Sequence, residues 1–171
     1  MPKWCKVRVK NGGDAIRGSD AKLNPDKDRD SSFIRFTQLV DLNARYRNMP
    51  STFERRVQYG QLHSVLVCEL PKSNLLRLQE SKVFLLAHIT PCDTSIRRGG
   101  TEIWPDATQE VVSYKDTLTS IIVDISAVEV VVGRVKYGIA EKRWGIIDRS
   151  GEGARTTFVD QDGWEDDYDL Q

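Results

Sequence analysis

The chain has few cysteines and no long apolar run. Its three cysteines, Cys5, Cys68 and Cys92, are an odd number at unrelated spacings, which argues against a disulfide framework and fits a reducing compartment. No run of roughly 18 apolar residues is present to span a bilayer. The polar start at residues 1–6 is not followed by the apolar core of a signal peptide. We therefore expect a soluble, intracellular protein with free thiols and no membrane partner.

Several kinds of catalytic pattern are also missing from the sequence. We find no spaced nucleophile, base and orienting acid of a hydrolase, no glycine loop that would cradle a phosphate, and no closed set of metal ligands. These absences favour a protein that is not an enzyme. We accordingly predict no catalytic residue, no bound metal and no cofactor.

The charge is balanced overall but unevenly distributed. The 171 residues include 25 basic and 25 acidic side chains, and six of the acids lie in residues 160–171, where there is no base. Residues 1–159 therefore carry a net charge of +6. We predict one domain over 1–159 and a disordered acidic tail over 160–171. A basic body suits a partner of negative charge; the tail either solubilises the chain or competes for the basic surface.

Runs of β-branched and aromatic residues predict strands along most of the chain. The runs are 4–9, 33–40, 57–70, 82–90, 110–115, 121–125, 128–135 and 143–148. The run at 57–70 is too long for one flat strand, and Gly60 marks a place for a bulge or bend. The run at 82–90 is continuously apolar, which suits a strand buried on both faces.

Polar segments between these runs predict long loops. Residues 15–32 are poor in apolar side chains and predict a mobile loop. Residues 93–108 predict an exposed loop with one conspicuous apolar group, Trp104. Residues 74–81 could form one helical turn, and a helix over 36–47 competes with the strand assigned there. About six to eight strands with little helix predict an all-β fold, a small bent antiparallel barrel, because open sheet edges invite aggregation.

Several strings resemble a domain of unknown function that is abundant in mushroom-forming fungi and occurs in proteins encoded by or beside large DNA transposons. The strings are Arg29–Phe36, Asp41–Arg45, Tyr59–Leu62, His88–Cys92 and Trp144–Ser150. The resemblance spans 4–159, and the Trp144–Ser150 string is the most specific part. It implies a transposon-associated context but no mechanism.

The order of the strands also resembles that of the bromo-adjacent homology (BAH) domain, a bent β-barrel found in chromatin proteins. Pro91 and the Asp93-Thr94 pair fit that pattern, whereas Ala87-His88 stands where the family usually shows a tryptophan and a second aromatic residue. The departure argues against the methyl-lysine cage of that family. The resemblance implies a chromatin partner and a nuclear location.

A basic set interleaved with aromatic residues predicts nucleic-acid binding. The wider set contains Arg45, Arg47, Arg55, Arg56, Arg97, Arg98, Lys136, Lys142, Arg143 and Arg149, interleaved with Tyr46, Tyr59 and Trp144. We select Arg97, Arg98, Arg134, Lys142, Arg143 and Arg149 as the candidate contacts. The alternative is a solvated surface whose charges pair internally.

Two other groups could bind a ligand. Tyr59, His88, Trp104 and Tyr114 are candidates for an aromatic cage around a quaternary ammonium group. His63, Cys68, His88 and Cys92 lie on neighbouring predicted strands and have the chemistry of zinc ligands, although their spacing is not that of a known zinc motif. The alternative for both groups is ordinary packing.

Asp148 could be taken for a catalytic residue, but it has no evident partner in the sequence. We interpret it as a turn residue that accepts from the amide of Ser150 or Gly151, or that pairs with an arginine such as Arg134.

These patterns favour a non-catalytic binding module of transposon-associated origin that recruits chromatin or nucleic acid. The alternatives are a protein–protein scaffold that docks a transposase or a DNA-modifying enzyme through Trp104 and residues 93–108, and a zinc-dependent enzyme. The oligomeric state does not follow from the sequence.

Overall fold

A computed structural model describes residues 1–9, 13–21, 30–99, 101–104, 112–137 and 142–150. Its strands are β1 (Lys3–Trp4), β2 (Lys6–Arg8), β3 (Ala15–Arg17), β4 (Phe33–Asp41), β5 (Phe53–Leu70), β6 (Lys82–Pro91), β7 (Ile96–Arg98), β8 (Thr101–Ile103), β9 (Val112–Tyr114), β10 (Ile121–Asp124), β11 (Val128–Val131), β12 (Gly133–Tyr137) and β13 (Arg143–Ile147). The only helical segment in these ranges is the single 3-10 turn Ile125–Ala127. The predicted all-β class is confirmed.

The largest sheet has six antiparallel strands built around β5. Its order is β10-β6-β5-β4-β11, and β1 pairs with β5. The first half of β5 pairs with β4, from Asp41 opposite Phe53 to Phe33 opposite Gln61. The second half pairs with β6 and ends with Leu70 opposite Lys82. The two ends of this 18-residue strand therefore lie at opposite ends of the sheet.

The predicted bulge in β5 exists, but not at Gly60. The register between β5 and β6 shifts between Leu62 and Ser64, so the extra residue is His63. Gly60 has a different function, because a Cβ atom there would lie 2.8 Å from Cγ2 of Ile89 and 2.8 Å from the carbonyl oxygen of Thr90. Glycine at this position allows β6 to approach β5 closely.

The remaining described strands form three smaller sheets, β12-β13-β9, β2-β3 and β7-β8. The chain passes from the large sheet into the three-stranded sheet at Val132, between β11 and β12. The pairing does not close the strands of the described ranges into one barrel. Closure was predicted because about six to eight short strands with open edges invite aggregation, and it is not confirmed.

The sheets enclose two apolar clusters. One lies on the inner face of the large sheet and is formed by Ile16, Ile34, Phe36, Leu62, Val65, Ala87 and Ile89. The other lies between the large and the three-stranded sheet and is formed by Phe33, Tyr59, Cys92, Val112, Tyr114, Val132 and Ile146. Strands β4 and β5 contribute residues to both clusters, because their side chains alternate between the two faces of the sheet. Strand β6 contributes Ala87 and Ile89 to the first cluster.

Three predictions for individual segments need correction. The segment predicted as a loop over 15–32 begins with strand β3, whose Ile16 is 1% exposed, since one apolar residue in a polar stretch suffices to anchor a short strand. Residues 74–81 form turns rather than a helical turn, and Leu75 is 95% exposed. Strand β6 alternates between buried and partly exposed residues in its second half, so it is not buried on both faces.

The strand assigned at 33–40 is confirmed, and β4 leaves no room for a helix over 36–47. The acidic tail at 160–171 lies outside the described residues, as do residues 22–29 of the predicted loop. Within the described ranges, no helix has the length and apolar character needed to cross a membrane.

Candidate nucleic-acid interface

Strands β4 and β5 extend into a hairpin, residues 39–56, which we call the arm. Leu39 pairs with Arg55 and Asp41 with Phe53. Asp41 fixes the turn, because Oδ1 accepts the backbone N–H of Asn43 at 2.9 Å and that of Thr52 at 3.0 Å. The N–H of Asn43 is the main reason why the pKa of Asp41 lies below its ordinary value; burial acts in the opposite direction.

The arm is unusually apolar for an exposed hairpin. Its exposed large side chains are Leu39, Leu42, Tyr46, Met49 and Phe53. Tyrosine, phenylalanine and methionine are enriched in binding interfaces relative to the rest of a protein surface. An exposed group of this kind is typical of a contact surface.

The arm also carries four arginines and only two acids, Asp41 and Glu54. Nε of Arg56 lies 2.7 Å from a carboxylate oxygen of Glu54, which compensates its charge. Arg45, Arg47 and Arg55 have no ion pair or hydrogen bond within the described part of the chain. Within that part of the chain, nothing engages their guanidinium groups.

A second hairpin, β7–β8, lies beside the arm. Residues 93–108 were predicted as an exposed loop, but Ile96–Arg98 and Thr101–Ile103 pair as strands. Nη2 of Arg97 lies 3.4 Å from Glu102, across the hairpin. Arg98 pairs in register with Thr101 and has no ion pair or hydrogen bond in the described ranges.

The two hairpins enclose a depression of about 660 Å³, which we call the arm groove. It is lined by Val40, Asp41, Leu42, Ala44, Arg45, Tyr46, Arg56, Gln58, Thr101, Glu102 and Trp104. The groove brings two aromatic rings together with arginine side chains. Aromatic faces for stacking and cations for phosphates are the two components of single-strand binding sites.

A larger depression of about 790 Å³ lies at the seam between the large and the three-stranded sheet. Arg134, one of its walls, is sandwiched between two rings: its Cζ lies 3.7 Å from the centroid of Phe33 and 4.4 Å from that of Trp144. Its Nη2 lies 3.4 Å from Asp30. Arg149 also lines this cavity, and Asp14 and Asp30 balance the two arginines, so the lining has no net charge.

Asp148 is the centre of a polar network beside this seam. It accepts from the backbone N–H of Ser150 at 2.8 Å, which confirms the predicted turn. The arginine that pairs with it is Arg35, at 3.2 Å, and not Arg134. The hydroxyl of Tyr59 donates to it at 2.9 Å. Burial alone would raise the pKa of Asp148, but hydrogen bonds from Ser150 and Tyr59 and the charge of Arg35 outweigh burial and lower it.

The four cage candidates lie in three different places. Tyr59 and Tyr114 are buried in the cluster between the sheets, where their hydroxyls bond to Asp148 and Arg134. His88 contacts His63, with ring centroids 4.8 Å apart. Trp104 lines the arm groove. The structure does not assemble these residues into one cage.

The zinc candidates are likewise divided. His63 and His88 are neighbours, but Nδ1 of His63 is 2.7 Å from Oγ of Ser19 and Nε2 is 2.7 Å from Oγ1 of Thr90, so hydroxyls occupy both ring nitrogens. Cys92 is buried in the cluster between the sheets. In the described ranges no group of three or more His, Cys, Asp and Glu side chains is placed to hold a metal ion.

The six selected basic residues also separate. Arg97 and Arg98 lie on the hairpin beside the arm, and Arg134 and Arg149 line the seam cavity. Lys142 and Arg143 lie at the start of β13. The selection left out the arm, although Arg45-Tyr46-Arg47 belonged to the wider basic set. The alternation of arginine, tyrosine and arginine before Pro50 is the sequence pattern that could have predicted a binding surface on the arm.

Comparison with known proteins adds no relationship. No protein-family model matches the chain, and neither a curated protein nor a solved structure matches it.

Proposed function

We propose that the chain is a non-catalytic module that binds nucleic acid through the arm and the β7–β8 hairpin. The observation that carries the proposal is a set of four uncompensated arginines on the arm and the β7–β8 hairpin, of which Arg45 lines the aromatic groove and Arg55 lies on the other face of the arm, opposite Leu39. Arg45, Arg47, Arg55 and Arg98 have no ion pair within the described residues, and Tyr46 and Trp104 line the groove between their hairpins.

An arginine that already has a carboxylate partner contributes less to phosphate binding than one that has none. A guanidinium beside a carboxylate gains little from a phosphate, because the carboxylate must first be displaced. Arg56 and Arg97 have such carboxylate partners, Glu54 and Glu102. The four arginines without partners can neutralise phosphates and release their counterions, which is the main source of affinity for a nucleic-acid backbone.

The seam cavity supports the proposal less well than the arm does, although its lining includes Trp144 and two of the predicted nucleic-acid contacts, Arg134 and Arg149. The lining of the seam cavity and that of the arm groove each carry two arginines and two acids, so the charge of the lining favours neither. The arm differs in carrying three arginines, Arg45, Arg47 and Arg55, that have no ion pair within the described residues. Arg134 is also held by two rings and by Asp30. We therefore assign Arg134 to the packing of the seam.

The resemblances to the transposon-associated domain and to the BAH domain stay predictions, and so does recruitment to chromatin in the nucleus. A nucleic-acid surface on the arm is compatible with all of them.

The experiment is fluorescence anisotropy with a labelled 20-nucleotide single strand and a labelled duplex. Arg45→Gln/Arg55→Gln removes two uncompensated charges from the arm. The matched control, Lys72→Gln/Lys82→Gln, removes two exposed charges at the opposite end of β5. We expect the arm variant to lose roughly 25-fold in affinity at 0.1 M salt and the control to lose little. Equal losses would show that only the net charge matters.

The exposed apolar side chains of the arm favour a second candidate, docking of a partner protein. Leu39 and Phe53 lie on the face of the arm opposite Val40 and Arg56, because side chains alternate along both strands. Docking through this face would depend weakly on salt. Loss of a protein partner on Leu39→Ser/Phe53→Ser, with nucleic-acid affinity unchanged, would identify this second activity.

A further inference from the structure

We propose that the arm groove takes an unpaired base, so that the ligand of the module is single-stranded nucleic acid. This inference depends on the proposed function and adds the class of ligand. The first step concerns Tyr46, which is 61% exposed. A tyrosine with one face open at the wall of a groove offers a stacking platform, and stacking accepts every base because each has a π-face.

The second step is the space between the rings. Tyr46 and Trp104 come from different hairpins and line the same groove. Among the described aromatic side chains the one ring pair in contact is His63–His88, so Tyr46 and Trp104 do not fill the groove by stacking on each other. The volume of about 660 Å³ lies in the range of sites that enclose small organic groups.

The third step is a polar group on the wall of the groove. Gln58 lines the groove, and it is not among the described residues whose side chains have a buried polar atom without a partner. Its N–H₂ and C=O groups can pair with the donors and acceptors on the edge of a base.

The fourth step excludes a duplex from the groove. Bases in a duplex are stacked on one another and paired, so a side chain cannot stack on their faces unless the base leaves the helix. Single strands expose these faces without that cost. Arg45 lines the groove and Arg98 stands on the hairpin that forms its other wall, so a strand that crosses the groove has a cation on each hairpin.

The test compares three labelled 20-mers in anisotropy titrations: a single strand, an abasic strand with the same phosphates, and a duplex. Tyr46→Leu removes the stacking face. Phe53→Leu is the matched control, an equally exposed aromatic residue of the arm that does not line the groove. We expect Tyr46→Leu to weaken single-strand binding roughly ten-fold or more and to leave the abasic strand unaffected, whereas Phe53→Leu changes neither.

The outcomes separate this inference from the proposed function. Equal affinity for the abasic and the base-containing strand, tighter binding of the duplex, or equal effects of Tyr46→Leu and Phe53→Leu would each overturn base insertion. If the arginine variant still weakens binding in those cases, the nucleic-acid module stands with a duplex or a bare backbone as its ligand. If no oligonucleotide binds at low salt, both proposals fail. Thermal unfolding of each variant verifies that it is folded.

Discussion

The salt dependence of nucleic-acid binding follows quantitatively from the four uncompensated arginines. For a single strand, log K falls with log salt with a slope of about −0.7 for each neutralised phosphate. Arg45, Arg47, Arg55 and Arg98 therefore predict a slope of about −2.8. Raising the salt from about 50 to 200 mM should weaken binding roughly 50-fold.

Removing two of the four arginines should halve this slope. Arg45→Gln/Arg55→Gln leaves about −1.4, so the same change in salt should weaken binding only about 7-fold. With equal affinities at about 1 M salt as the reference, the slope difference of about 1.4 gives the roughly 25-fold lower affinity at 0.1 M salt stated above. The control Lys72→Gln/Lys82→Gln should keep a slope of about −2.8, although its net charge changes by the same amount.

Anisotropy titrations at four salt concentrations measure these slopes. Equal slopes for the arm variant and the lysine control would refute the assignment, because binding would then follow the net charge of the chain. A slope of about −4.2 would show that Arg56 and Arg97 leave Glu54 and Glu102 to reach phosphates. A slope near zero would indicate docking through the apolar side chains instead.

Other predictions concern the fold and its titrating groups. Burial is the main cause that lowers the pKa of His63 below 6.5, the charge of His88 adds to it, and Asp20 acts in the opposite direction. As the pH falls, the unfolded chain therefore takes up this proton before the folded protein does. The contribution of His63 to stability should be fully present above pH 6.5 and should decline as the pH falls from there through the folded pKa. Urea unfolding at pH 7.5 and 5.5 measures the decline, and His63→Gln should abolish the part due to this residue. Gly60→Ala should lower the free energy of unfolding by about 1 to 3 kcal/mol. Gly133→Ala should lower it little, since the added Cβ would lie 3.6 Å from the nearest atom. Similar losses of stability for both variants would contradict the close approach of β6 to Gly60. Asp148→Asn should lower the free energy of unfolding by roughly 2 kcal/mol, which is less than for a fully buried ion pair. The loss is limited because Arg35 keeps a second carboxylate partner, Glu129, at 2.8 Å. Asp124→Asn, at an exposed position, is the control. Burial raises the pKa of the Cys92 thiol to about 12, so a thiol reagent at pH 8 should label the more exposed Cys5 and Cys68 first, and labelling of Cys92 at a similar rate would contradict its burial.

The strands were predictable because side-chain alternation and β-branched runs are local properties. The runs at 33–40, 57–70 and 121–125 correspond to β4, β5 and β10 within a few residues. Strand β3 was missed because its three residues carry only one large apolar side chain, Ile16, in a polar segment. Its formation depends on pairing with β2, which no local pattern encodes.

The candidate site was less predictable, since it depends on which charges find partners. Arg97 has Glu102 across a hairpin, and Arg134 has Asp30 at a separation of 104 residues. The sequence shows 25 arginines and lysines of equal appearance, and only the fold separates those with partners from those without. The aromatic residues divide in the same way, because Tyr59 and Tyr114 are buried while Tyr46 is exposed.

The most distinctive string, Trp144–Ser150, serves the structure of the seam rather than a ligand. Trp144 covers one face of Arg134, and Asp148 joins β4 and β5 to the end of β13 through Arg35 and Tyr59. Each of these side chains already has its partners within the chain. A residue whose hydrogen bonds and charge are satisfied gains little from a ligand, whereas the side chains of Arg45 and Tyr46 have no such contact within the described part of the chain. The arm therefore remains the better place to look for binding, even though its sequence is the less distinctive of the two.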